Sequence, residues 1–173
     1  STGAYSKGDG IGCDDIAIQV NGKTENRNVF AEGESIKLLF NDISGLTEKD
    51  AKVFPGLAMV IVKNGKDTVL SNPDLLSDLK EGTDISPLLL QASFIARLPF
   101  KNKEQYTVFI KIWDKKGKGT FSYELPFTIQ ENKLLEITAR GLAYSRIYLW
   151  DDNLKYALAG KEANSKNTLI LIL

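Results

Sequence analysis

The sequence predicts an all-β protein built as an antiparallel sandwich. Three observations carry that expectation. Apolar residues alternate with period two in several short runs, which only a strand converts into one apolar face. Turn signals recur about every ten residues. Between the runs there is no helix of the ~10 or more residues that a crossover in a parallel sheet requires. The stretch from Tyr106 to Gln130 shows the pattern best. Tyr106, Val108, Ile110 and Ile112 alternate in one run, and Phe121, Tyr123, Leu125, Phe127 and Ile129 in the next. Asp114-Lys-Lys-Gly-Lys-Gly lies between them and supplies turn residues. The result is a long β-hairpin with one apolar face, which needs a second sheet to cover it.

The remaining elements follow in chain order. Residues 1–14 are small and polar and read as a flexible leader, without the apolar core of a signal peptide. Ile16, Ile18 and Val20 alternate into Asn21-Gly22, a strand entering a tight turn of the type I′ class. After Gly33, the residues Ile36, Leu38 and Phe40 form a second strand. Thr47-Glu-Lys-Asp50 has the spacing of a capping box and predicts a single helical turn, ended by Pro55-Gly56. Leu57–Val62 is nearly all apolar and predicts a central strand covered on both faces. Asn64-Gly65 turns the chain back through Thr68–Leu70. Asn72-Pro73 at one end and Gly82 at the other predict a short surface helix. Ser86-Pro87-Leu88 is a turn, Ser93–Leu98 is a strand, and Pro99 limits it.

Beyond the hairpin, Gln130–Lys133 is a polar break. Leu135 and Ile137 restart the alternation, Ile147–Trp150 is a strand entering Asp151-Asp152-Asn153, and Thr168–Leu173 is a last apolar strand. We therefore expect a sandwich over 15–132, with 133–173 adding strands to it or opening a second β unit. The pair Ile16–Gln19 and Ile36–Leu39 is echoed by Ile147–Trp150 and Leu169–Ile172, as in an internal repeat, although any two strands joined by a loop read alike.

Composition removes several classes of function. The 173 residues carry 22 Lys and Arg against 22 Asp and Glu. A balanced chain gives no electrostatic case for nucleic acid. The apolar runs are too short to span a bilayer. Histidine is absent and Cys13 is the single cysteine. Ser-His-Asp and Cys-His catalysis, an intrachain disulfide, and zinc sites built on His or a Cys cluster are excluded with them. Cys13 itself reads as a small buried residue.

Gly33-Glu-Ser-Ile-Lys-Leu-Leu-Phe40 entering a strand, Tyr106 opening the penultimate one, and Ile112-Trp-Asp-Lys-Lys-Gly-Lys-Gly-Thr-Phe121 closing the hairpin resemble the immunoglobulin-like domains of secreted Bacteroidetes-type lipoproteins. The resemblance spans roughly Asp15–Gln130 and rests on general sandwich features. The cysteine pair of antibody domains is missing. The resemblance implies an immunoglobulin-like sandwich that is exported to the periplasm or cell surface, often alongside polysaccharide handling.

Two groups of residues are candidates for a ligand. Trp113-Asp114 and Trp150-Asp151-Asp152 each place an aromatic at a strand end beside carboxylates. An exposed indole stacks on a sugar ring while carboxylates accept its hydroxyls. The plainer reading is core packing. Trp113 shares its face with Phe109 and Lys111, opposite to the Tyr106 face, which weakens that reading for it. The acidic groups Asp9, Asp14, Asp15 and Asp151, Asp152, Asn153 match no calcium loop and read as solvated turns. Carboxylates such as Glu104 with Glu124, or Asp114 with Asp151, could be paired for glycoside hydrolysis on paper, as in any acidic sequence. No cofactor is expected. The leading expectation is a non-catalytic interaction or scaffold module of the cell envelope, with a protein or a polysaccharide as its partner. The alternatives are a carbohydrate-binding module using an exposed tryptophan and a small glycosidase.

Overall fold

The computed structural model describes residues 2–85, 87–97, 99–131, 148–151, 156–158 and 169–172. Ten strands lie within the first 130 residues: β1 (Tyr5–Asp9), β2 (Gly12–Val20), β3 (Lys23–Thr24), β4 (Val29–Ala31), β5 (Ser35–Ser44), β6 (Pro55–Lys63), β7 (Asp67–Asn72), β8 (Leu90–Ile95), β9 (Gln105–Asp114) and β10 (Thr120–Gln130). They form two sheets. The larger runs β1-β10-β9-β6-β7, and β4 lies along β10 beyond the end of β1. The smaller runs β3-β2-β5-β8. All pairings are antiparallel except β4 with β10. The chain is an all-β sandwich, and the succession β10-β9-β6-β7 opposite β2-β5-β8 is the immunoglobulin-like strand order.

The expected alternation builds the core. Ile36, Leu38 and Phe40 of β5 and Leu90, Ala92 and Phe94 of β8 meet Leu57, Met59 and Ile61 of β6 and the inward residues of the β9–β10 hairpin. Phe30, Phe94, Phe100, Tyr106 and Phe127 form an aromatic cluster at one end. Tyr106 is 1% exposed, and its hydroxyl accepts from the Lys101 amide at 2.7 Å. That bond ties the start of β9 to the connection before it, the tyrosine corner of immunoglobulin-like sandwiches.

Several elements differ from expectation. The leader is not free: β1 pairs with β10 from Tyr5–Glu124 to Asp9–Thr120. Every residue of β1 is exposed, so no apolar alternation announced it. The helical turn at 47–50 is a two-residue hairpin turn. Lys49 and Lys52 exchange backbone hydrogen bonds across Asp50 and Ala51, both at positive φ. The segment 72–82 is a series of turns. The Asn72 side chain accepts from the Asp74 amide, and the Asp74 carboxylate accepts from the amides of Leu76 and Leu57, which holds the chain against β6. β8 starts three residues earlier than expected, with Leu90, Ala92 and Phe94 as its inward set. Ser86 and Leu98 lie outside the described residues. The two asparagine-glycine turns form as expected, with Asn21, Gly22, Asn64 and Gly65 all at positive φ.

Three further strands, β11 (Tyr148–Asp151), β12 (Tyr156–Leu158) and β13 (Leu169–Ile172), form an antiparallel sheet in the order β12-β11-β13. The Leu135 and Ile137 alternation lies outside the described residues.

Candidate functional site

An antiparallel sheet with one face to water carries polar residues on that face. The outer face of the larger sheet departs from this at its centre. Phe109, Lys111 and Trp113 project outward from β9, because Val108, Ile110 and Ile112 take the core side. Across one neighbour stand Ala58 and Val60 of β6, opposite Lys111 and Phe109. Across the other stand Thr120, Ser122 and Glu124 of β10, opposite Trp113, Lys111 and Phe109. Tyr5 of β1 continues the row beside Glu124. Phe109 is 37% exposed and Tyr5 59%. A shallow groove of about 320 Å³ runs between Val60, Ala58 and Phe109 on one side and Thr120, Ser122 and Glu124 on the other. The expectation that β6 is covered on both faces fails here: Ala58, Val60 and Val62 are only half-buried.

Trp113 is half-buried, and its seat is specific. A Cβ on Gly56 would lie 2.1 Å from indole Cε2 and 2.3 Å from Cζ2, so the ring rests against the bare glycine backbone opposite it. Gly56 is a seat for an aromatic residue rather than a helix terminator. At ~3.4 Å per residue, Trp113 and Phe109 stand roughly 13–14 Å apart along β9 with Lys111 between them.

Asp114, the neighbour expected to act with Trp113, is elsewhere engaged. It is 5% exposed. Its carboxylate accepts from the Thr47 amide at 2.7 Å and the Lys116 amide at 2.9 Å. Burial raises its pKa, but the Thr47 hydroxyl and the amides of Lys116, Thr47 and Gly117 outweigh that and hold it below the ordinary aspartate value. Asp114 therefore fastens the hairpin tip to the connection after β5. Next to it, Lys115 reaches Asp74 at 2.7 Å and the Leu76 carbonyl at 2.9 Å. Trp150 and Asp151 lie on β11, and Asp152 lies outside the described residues.

The other candidate chemistry is similarly occupied. Glu104 pairs with Lys63 at 3.1 Å, whereas Glu124 stands on the outer face opposite Phe109. Cys13 is half-buried with its thiol against the carbonyls of Asp15 and Asn41, and burial raises its pKa, which disfavours a reactive thiolate. Among the described residues no three acidic or cysteine side chains converge as metal ligands, and no helix is long and apolar enough to cross a membrane. The sequence reading missed the roles of Phe109, Val60 and Tyr5. The available signal was an aromatic on the off-parity face of β9 together with an uninterrupted apolar β6.

No protein-family model matches the sequence, and no curated protein does. Among solved structures, the C-terminal domain of wzt is similar, with 11% sequence identity over 84% of this chain and 90% of that chain and a TM-score of 0.52. At that identity the likeness supports the sandwich fold alone.

Proposed function

We propose that the chain is a non-catalytic binding module of the cell envelope, and that the outer face of its larger sheet takes an extended glycan. The observation that carries this is the lane of exposed Phe109 and half-buried Val60 and Ala58 on central strands, bordered at once by Lys111, Ser122, Thr120 and Glu124. A sugar ring has the matching chemistry: an apolar C–H face to lie on an aromatic ring, and hydroxyls at its edge for the polar border. Trp113 provides a second aromatic on the same face. The exported location belongs to the proposal and rests on the resemblance to lipoprotein domains; recovery of the native protein in the cytoplasmic fraction of its host would contradict it.

A glycan-array screen of the intact protein tests the reading, with Phe109→Ala and Trp113→Ala alongside. We expect binding to extended glycans that Phe109→Ala abolishes and Trp113→Ala reduces, with both variants folded. An empty array, or a hit indifferent to Phe109, rejects the glycan reading and leaves a protein as the partner class for this face.

A further inference from the structure

A second cavity lies at the open side of the sandwich. There the two sheets part between β1 and β2, leaving a cleft of about 570 Å³. That volume is in the range of sites for small ligands, roughly 300–1,000 Å³. Its deep wall is apolar, with Ile16 and Ile18 of β2 on the core-facing side of the smaller sheet. Its rim carries the hydroxyls of Ser6 and Thr24 and the amide of Asn26.

Tyr123 closes the inner end. It projects from β10 toward the core, edge-on to Phe40 with ring centroids 5.6 Å apart, and is 4% exposed. A buried phenol normally finds a hydrogen-bond partner. This hydroxyl has none among the described residues. Ser6, Thr24 and Asn26 likewise make no side-chain hydrogen bond among them. The two carboxylates at the cleft differ: Asp15 accepts from Asn41 at 3.0 Å, and Glu25 is paired with Arg27. Apart from the Asp15 carboxylate, whose partner is a neutral amide, the polar groups left over are neutral. Burial also raises the Tyr123 pKa, so the phenol stays protonated and able to donate.

We propose that this cleft is a binding pocket for a single neutral, hydroxyl-rich ring, a monosaccharide or the terminal unit of a glycan, with the Tyr123 hydroxyl as its innermost hydrogen-bond partner. An apolar floor, a hydrogen-bonding rim with the Asp15 carboxylate as an acceptor, and one buried phenol suit a sugar, which offers a C–H face and several hydroxyls at once. An anionic ligand would face the carboxylates of Asp15 and Glu25 with no unpaired cation in the lining. Tyr123 lines both this cleft and the sheet-face groove, whereas the outward residues Phe109, Val60 and Lys111 line the groove alone.

The test is an amide ¹H–¹⁵N titration of the intact protein into the millimolar range with glucose, mannose, galactose and N-acetylglucosamine. Each sugar is used both free and as its methyl glycoside. We expect at least one to shift the amides of β1, β2 and β3. A response to methyl glycosides identifies a terminal glycan unit, and a response to free sugars alone identifies a monosaccharide. Tyr123→Phe removes only the hydroxyl and should weaken binding about three- to tenfold, the loss of one neutral hydrogen bond. It should leave the melting temperature equal or higher, because no protein partner is lost. Ser6→Phe should block the pocket, and Phe109→Ala should leave these shifts intact. The proposal is overturned if none of the sugars shifts these amides, if Tyr123→Phe binds like the parent, or if Tyr123→Phe melts lower.

Discussion

Asp114 and Tyr106 show how single polar groups hold this sandwich closed. Each is nearly inaccessible, and each accepts from backbone amides of a connection between strands. Asp114→Ala should destabilise the fold by about 1.5–3 kcal/mol, and Tyr106→Phe, which removes the acceptor of the Lys101 amide, by about 0.5–1.5 kcal/mol, both read by denaturant unfolding. The Asp114 pKa is lower folded than its ordinary value of 3.8. The folded protein therefore binds fewer protons than the unfolded chain in that window. Stability from Asp114 is fully present above the ordinary value and disappears as pH falls through the lower, folded one. Asp74, whose own pKa is lowered by Lys115 and the amides of Leu57 and Leu76 against the opposing effect of burial, acts in the same direction. Unfolding measured from pH 6 down to 2 should show a fall concentrated below about pH 4, and a smaller fall in Asp114→Asn. A variant with the parent's full acid dependence would remove Asp114 from the explanation. Asp114 could be found in the sequence as a carboxylate at a strand end, but not its role. The amides it binds at Thr47 come from a part of the chain 67 residues away.

At the scale of elements, the alternating strands were legible and the polar ones were not. β9 and β10 bury every second residue, as does β5 as far as Phe40, so period two located them. β1 has no buried side, and its position follows only from the edge that β10 leaves open. The segments at 47–50 and 72–82 carry sound helix punctuation. Local side-chain hydrogen bonds from Asn72 and Asp74, and the positive φ at Asp50 and Ala51, turn the same residues into tight turns. Removing residues 1–10 should lower the melting temperature and free the β10 edge from Thr120 to Glu124 for association, visible by size-exclusion chromatography. If the shortened chain remained as stable and monomeric as the parent, the edge-covering role of β1 would be lost. The seat of Trp113 is a second test. Gly56→Val should force the indole off β6 and red-shift tryptophan emission in a Trp150→Phe background. An unchanged spectrum would mean that the ring does not depend on the glycine.

For the whole molecule, the sandwich is closed by residues 5–130: all ten strands of the two sheets, and the core between them, lie in that span. A chain ending at Glu131 should therefore unfold cooperatively, with the midpoint of a folded domain; a non-cooperative melt would contradict this. The C-terminal sheet repeats a relation seen in the sandwich. β11 lies between β12 and β13 as β2 lies between β3 and β5, with antiparallel pairing in both.

The fold was readable because burial imposes a period. The candidate face was only half readable: Phe109 and Trp113 were visible on the off-parity side of β9, whereas their meeting with Val60, Ala58 and Glu124 depends on strand order and register. The central claim is that this face, and not a loop or a strand end, receives an extended glycan. Amide chemical-shift mapping with a glycan selected by array tests it most directly. The account predicts perturbations centred on β6, β9 and β10 around Ala58, Val60, Phe109, Lys111, Ser122 and Glu124. Shifts confined to residues away from these strands, or none at saturating glycan, would contradict it.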